Sequence, residues 1–112
     1  MISSDKIRDR KNEPNVRERD IEKAFTAKVK AAGGEIRKVR WIGRKGAPDR
    51  VVMLNGGVWW IEFKAPGERP RAQQASEHRR MKKMGMRVVV IDSMLEVDDL
   101  LRVVSWRETP LL

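Results

Sequence analysis

Apolar positions along the chain change period several times, and each change marks an element. From residue 16 they recur every three to four positions, at Val16, Ile21, Ala24, Phe25, Val29 and Ala32, the spacing of one helix face. Gly33 and Gly34 stop that helix, as glycines past a helix end do. The pattern then reads as strand over residues 35–42, 49–54 and 58–64, which are rich in β-branched or aromatic side chains. Asn55-Gly56-Gly57 between the last two is a hairpin signal. Pro66, Gly67 and Pro70 break the chain before a second helical stretch, 71–84, which Gly85 ends. The apolar run 87–91 predicts a central strand. A short helix over 97–103 follows, with Ser93 or Asp92 near its cap. The predicted order is αβββαβα, without internal repeats.

Strand alternation then places chemistry. In the third strand Val58, Trp60, Glu62 and Lys64 share one face, and Trp59, Ile61 and Phe63 the other. A two-residue turn at Asn55-Gly56 sets Leu54 opposite Gly57 and therefore Asp49 opposite Glu62. Opposed residues have Cβ atoms roughly 4.5–5.5 Å apart, a separation suited to two carboxylates sharing one divalent cation. A turn at Gly56-Gly57 would set Asp49 against Lys64, on the same face; a three-residue loop would break the arrangement.

Composition narrows what this face can act on. The 112 residues suffice for one domain. With 25 Lys and Arg against 16 Asp and Glu, the formal net charge is +9. Such an excess favours a polyanion, nucleic acid foremost. No long basic amphipathic helix supports the rival, an acidic membrane surface. There is no cysteine, which excludes a disulfide framework and cysteine-ligated zinc and suits a reducing compartment. With no leader-like apolar core near the start and no membrane-length run, the expected location is the cytoplasm. Residues 1–14, dense in charge and poor in core formers, read as a flexible basic tail, leaving 15–112 as the domain.

A phosphodiester resists attack because its anionic oxygens repel nucleophiles. A hard cation on oxygen ligands polarises the phosphoryl group and makes bound water more acidic. Asp49 and Glu62 suit the ligand role, with the Phe63 carbonyl as a third oxygen. Lys64 could orient the attacking water or stabilise charge in the transition state. The bland alternative is a solvated Glu–Lys pair beside a turn aspartate. The set, in this register and in a basic chain, favours chemistry.

These residues carry a resemblance. The run Gly46-Ala47-Pro48-Asp49-Arg50-Val51-Val52 followed by Trp60-Ile61-Glu62-Phe63-Lys64-Ala65-Pro66 resembles the VRR-NUC branch of the PD-(D/E)xK nuclease superfamily. Gln74, His78 and Gly85 are similar to its glutamine helix, and Glu18 and Glu22 before Gly33-Gly34 to its glutamate-bearing first helix; the similarity runs over roughly residues 18–91. A bare PD and ExK pair is weak, whereas the extended block is specific. The resemblance implies a compact α/β nuclease domain: an αβββαβ core with a mixed central sheet flanked by helices, plus a C-terminal helix. It implies Mg²⁺ or Mn²⁺ held by Asp49 and Glu62, a catalytic Lys64, a supporting Gln74 and a helix glutamate ligating directly or through water. Glu18 has the family's spacing, and Glu22, one turn later on nearly the same face, stays open.

The expected activity is metal-dependent endonucleolytic hydrolysis of DNA, duplex or branched, selected by structure rather than sequence. Arg44, Lys45 and Arg50 flank Asp49, while Arg69, Arg71 and Arg79 lie in a second basic stretch. These are the candidate phosphate contacts, which position without reading sequence and make affinity fall steeply with salt. A homodimer, as stand-alone relatives resemble, would lengthen the basic surface. His78 could face the site from the Gln74 helix, although a lone helix histidine is more often packing. Trp41, Trp59, Trp60 and Trp106 read chiefly as packing residues, and Met81, Met84 and Met86 as core. The alternatives are an inactive nuclease-like DNA-binding module, and more weakly an RNA-binding protein.

Overall fold

Ile21, Phe25 and Val29 are fully buried because four-residue steps keep them on one side of helix α1 (Glu18–Ala31). The protein is represented by a computed structural model in which residues 15–105 are described. The tail 1–14 and Trp106 lie outside the described residues. After α1 come strands β1 (Glu35–Lys38), β2 (Arg50–Leu54) and β3 (Gly57–Phe63), helix α2 (Ala72–Lys83), strand β4 (Val88–Ile91) and helix α3 (Met94–Ser105). The order is the αβββαβα expected, in an α/β fold with a mixed sheet.

The sheet runs β1-β2-β3-β4. The first two pairings are antiparallel and β3 with β4 is parallel. Leu54 pairs with Gly57 and Arg50 with Ile61, the register of a two-residue turn. Asn55 (φ 53°) and Gly56 (φ 77°) both take left-handed backbone, the requirement of a type I′ hairpin turn.

Ile21, Phe25 and Val29 meet Val52, Leu54, Ile61, Phe63 and Ile91 from the sheet and Val97, Leu100 and Leu101 from α3 in one core. Phe25 and Phe63 pack edge to face, 5.7 Å between centroids. Glu62 faces away from that core by strand alternation, toward α2. Helices thus cover both sheet faces, and the α2 side carries the polar groups. Among the described residues no helix is long and apolar enough to cross a membrane.

Three expectations need correction. β4 is the edge strand of this sheet, not a central one. Its run is apolar because both faces are covered: Val88 is buried toward α2 and Ile91 within the α1–α3 core. β1 ends at Lys38 rather than at residue 42. Val39 N–H still reaches the Asp49 carbonyl at 2.8 Å, but the chain then bends into the 43–48 loop and leaves Ile42 93% exposed. Of the three methionines only Met81 is buried, since Met84 caps α2 and Met86 follows it outside the buried stripe.

Candidate active site

The hairpin and α2 together build the site. Continuing the ladder one step past Arg50–Ile61 sets Asp49 opposite Glu62, with Lys64 two positions further along that face. Asp49, Glu62 and Gln74 line one cleft of 230 Å³ with Gly46, Ala47, Arg71 and Gln73. Pro48, fully buried, anchors the chain just before Asp49. Gly46 holds the loop close to α2: with φ at +88°, its ideal Cβ would lie 2.7 Å from the Gln73 carbonyl oxygen. Only glycine meets both conditions without strain.

Gln74 is fixed at both ends of its amide. Its oxygen accepts from the Arg71 N–H at 2.9 Å, at the entry to α2. Its nitrogen is thereby turned toward Glu62, donating to Oε2 at 3.3 Å. One helical turn later, His78 is buried and its Nε2 lies 3.8 Å from Glu62 Oε1. Among the described residues that nitrogen finds no hydrogen-bond partner. Burial, and then Lys82, hold the His78 pKa below the ordinary histidine value.

Burial pushes the Glu62 carboxyl up to about 7, and the charge of Asp49 adds to the rise; Lys64 opposes it. Glu18 is also raised, first by burial, with Glu68, Asp49 and Glu22 adding to it and Lys64 opposing. The lysine thus stands within electrostatic reach of both carboxylates. Two acids facing one another in a partly buried cleft disfavour being ionised together.

Glu22 is committed elsewhere. Its Oε2 accepts from Arg50 Nε at 2.9 Å and from Nη2 of the same guanidinium. Arg50 also pairs with Asp49 at 3.0 Å. It therefore ties α1 to the start of β2. The other candidate phosphate contacts diverge. Arg71 lines the Asp49–Glu62 cleft. Arg69 lines a separate depression with Glu68, Asp92 and Glu96. Lys45 and Arg79 are exposed. Arg44 pairs at 3.2 Å with Glu77. The Phe63 side chain is in the core, which leaves its backbone as the part that can serve the site.

Sequence reasoning missed Glu77. This buried carboxylate pairs with Arg44 from the 43–48 loop and with Arg80 on α2, joining the Asp49 loop to the Gln74 helix. The Arg80 partner is three positions away and locally visible, but the burial of Glu77 and its pairing with Arg44, 33 positions away, are not. Glu68, which adds to the rise of Glu18, was missed as well; it follows Pro66-Gly67 and reads locally as loop polarity.

No family model matches the chain. Over 79 residues it is 44% identical to "Putative nuclease p44" of Acyrthosiphon pisum secondary endosymbiont phage 1, spanning 70% of this chain and 85% of that protein. A solved VRR_NUC domain superposes with a TM-score of 0.70 at 37% identity, over 76% of this chain and 94% of its own. The chain belongs to the VRR-NUC nuclease family.

Proposed function

We propose that this nuclease is a Mg²⁺- or Mn²⁺-dependent endonuclease that hydrolyses DNA phosphodiesters at Asp49, Glu62 and Lys64, selects DNA by branched structure rather than by sequence, and works as a homodimer. The observation that carries the reading is that Asp49, one position before the Arg50–Ile61 pair, lines one cleft with Glu62 and Gln74.

The donor set fits a hard divalent ion. Two carboxylates confront one another, and Glu62 is raised by the charge of Asp49 as well as by burial; a cation between them would relieve that repulsion. Among the described residues no group of three or more His, Cys, Asp or Glu side chains is placed to hold a metal ion. The set proposed is therefore two carboxylates completed by water and substrate phosphate, a set that Mg²⁺ accepts. Asp49, Glu62 and the Phe63 carbonyl would hold the ion, with Glu18 ligating directly or through water. When bound, the metal supplies charge neutralisation at the phosphate and a more acidic water.

The chain's own groups then have separable tasks. Gln74, fixed by the α2 entry, holds the Glu62 carboxylate in one orientation. Lys64, whose charge acts on Glu18 and Glu62, orients the attacking water and stabilises the charge that builds on the phosphate. The water oxygen bonds to phosphorus as the water gives up a proton to solvent, the bond to the departing sugar oxygen breaks, and that oxygen takes up a proton from solvent. Arg71 at the cleft and the exposed Lys45 and Arg79 hold neighbouring phosphates. Arg50, held by Glu22 and Asp49, positions the Asp49 backbone from behind.

Direct metal binding tests the reading. Isothermal titration with Mn²⁺ should show saturable binding that Asp49→Ala and Glu62→Ala each weaken at least roughly tenfold, the range seen when metal-site groups are lost, with unchanged far-UV circular dichroism. Undiminished Mn²⁺ binding by both folded variants would refute it.

A further inference from the structure

A second depression opens beside the carboxylate cleft. It measures 510 Å³ and is lined by Lys38, Arg40, Trp41, Arg44, Ala47 and Asp49, among others. Asp49 and Ala47 line both, so a strand whose phosphate rests at Asp49 has an adjacent nucleotide within reach of this second hollow. Its charge is one-sided: three cations, with Asp49 at the shared border as its one carboxylate.

Trp41 is its distinctive surface. The ring rests against Trp60 with centroids 5.1 Å apart and a 52° tilt. Its Nε1 donates to the Pro48 carbonyl at 2.8 Å. The indole is thus held in one orientation with its only hydrogen-bond donor used, yet the residue stays 37% exposed. What remains available is aromatic surface, which recognises a base by stacking and is indifferent to its identity. Arg44 at the rim is held in place by the buried Glu77, which limits the ordering it must undergo on meeting a phosphate.

We propose that this depression binds an unpaired nucleotide of the substrate strand, its base stacked on Trp41 and its phosphates held by Lys38, Arg40 and Arg44. The inference rests on the DNA-cleaving reading above and deepens it. A base inside a continuous duplex already has both faces covered by its neighbours and gains nothing from the indole. A base beside a flap, gap or junction gains a stacking partner. Trp41 would therefore supply the structure preference from the residue next to the scissile phosphate, with no base-edge contact.

The test compares Trp41→Phe with Trp41→Leu. Both lose the indole N–H and keep an apolar body against Trp60, and only Phe presents an aromatic face. Fluorescence anisotropy in EDTA measures binding to a blunt labelled duplex and to the same duplex carrying a short unpaired extension. Wild type should prefer the extended DNA, and Trp41→Phe should keep that preference. Trp41→Leu should bind it about tenfold more weakly, the order of one lost stacking contact, with blunt-duplex binding unchanged. Equal preference in the two variants, or none in wild type, overturns the inference while duplex binding keeps the DNA reading standing. Failure of wild type to bind either DNA overturns both. If Trp41→Leu does not fold, the double variant of the exposed Lys38→Ala and Arg40→Ala decides: lost preference supports the site, and retained preference overturns it.

Discussion

Glu62 is held in a state that water would not choose. Its carboxyl, pushed up to about 7 by burial and by Asp49, keeps its proton more tightly in the folded chain than in the unfolded one. A raised folded-state value gives stability that is present at low pH and lost as pH rises through it. The metal-free protein should therefore lose thermal stability between about pH 5 and about pH 8 through this group, and Glu62→Gln should flatten that part of the profile. Mn²⁺ should raise the melting temperature of wild type most at the alkaline end, where the ionised carboxylates repel. Differential scanning calorimetry checks all three; a pH profile identical in wild type and Glu62→Gln would contradict the assignment. The two-residue turn at Asn55-Gly56 and the strand register it sets were legible from the sequence, because turn type and strand alternation are local rules. The pairing of Glu22 with Arg50 and the burial of Glu77 were not, since each joins residues 28 and 33 positions apart. His78 was visible only as the residue four after Gln74. Its burial against Glu62 depends on how α2 is docked.

At the scale of elements, the 43–48 loop and α2 form one unit. Arg44 reaches Glu77, Gly46 lies against Gln73, and Gln74 reaches Glu62. Loop, helix and hairpin are thereby locked at the position of Asp49. Gly46→Ala would place a methyl 2.7 Å from a backbone oxygen at φ +88°. It should cost about 1–3 kcal/mol, the range for a strained left-handed residue, read as a lowered urea midpoint. Because a shift of about 1 Å at a reacting group can cost about 100-fold in rate, cleavage at saturating DNA should fall far more than folding does. Full activity in the folded variant would show that the loop does not set Asp49. Helix and strand identities followed from periodicity, and Gly33, Asn55 and Gly85 marked real ends. The true end of β1 and the edge position of β4 were hidden. The first depends on Trp41 folding back to Pro48, and the second on non-local pairing: an apolar run reports that both faces are covered, not how many strands lie beside it.

Across the whole molecule, one mixed sheet separates a hydrophobic side, where α1 and α3 close the core, from a polar side where α2 supports the site. That division explains how a chain of 112 residues and net charge +9 combines an ordinary core with an open polar cleft. Trp59, Ile61 and Phe63 of β3 belong to the first and Glu62, on its other face, to the second. Chain order and fold class were readable from sequence because each element declares its own period; the second hollow beside Asp49 was not, because it forms where β1 and the following loop meet. The claim on which the account turns is that Asp49, Glu62 and Lys64 cut DNA with a divalent metal. Its most direct test is cleavage of fluorescent linear and branched DNA by the purified protein in Mn²⁺, with EDTA as control, beside Asp49→Ala, Glu62→Ala and Lys64→Ala. The account predicts cutting by wild type that EDTA abolishes and that each substitution lowers by at least about 100-fold, the scale for loss of a group acting in the transition state. Cutting by Asp49→Ala at the wild-type rate, or by wild type in EDTA, would contradict it.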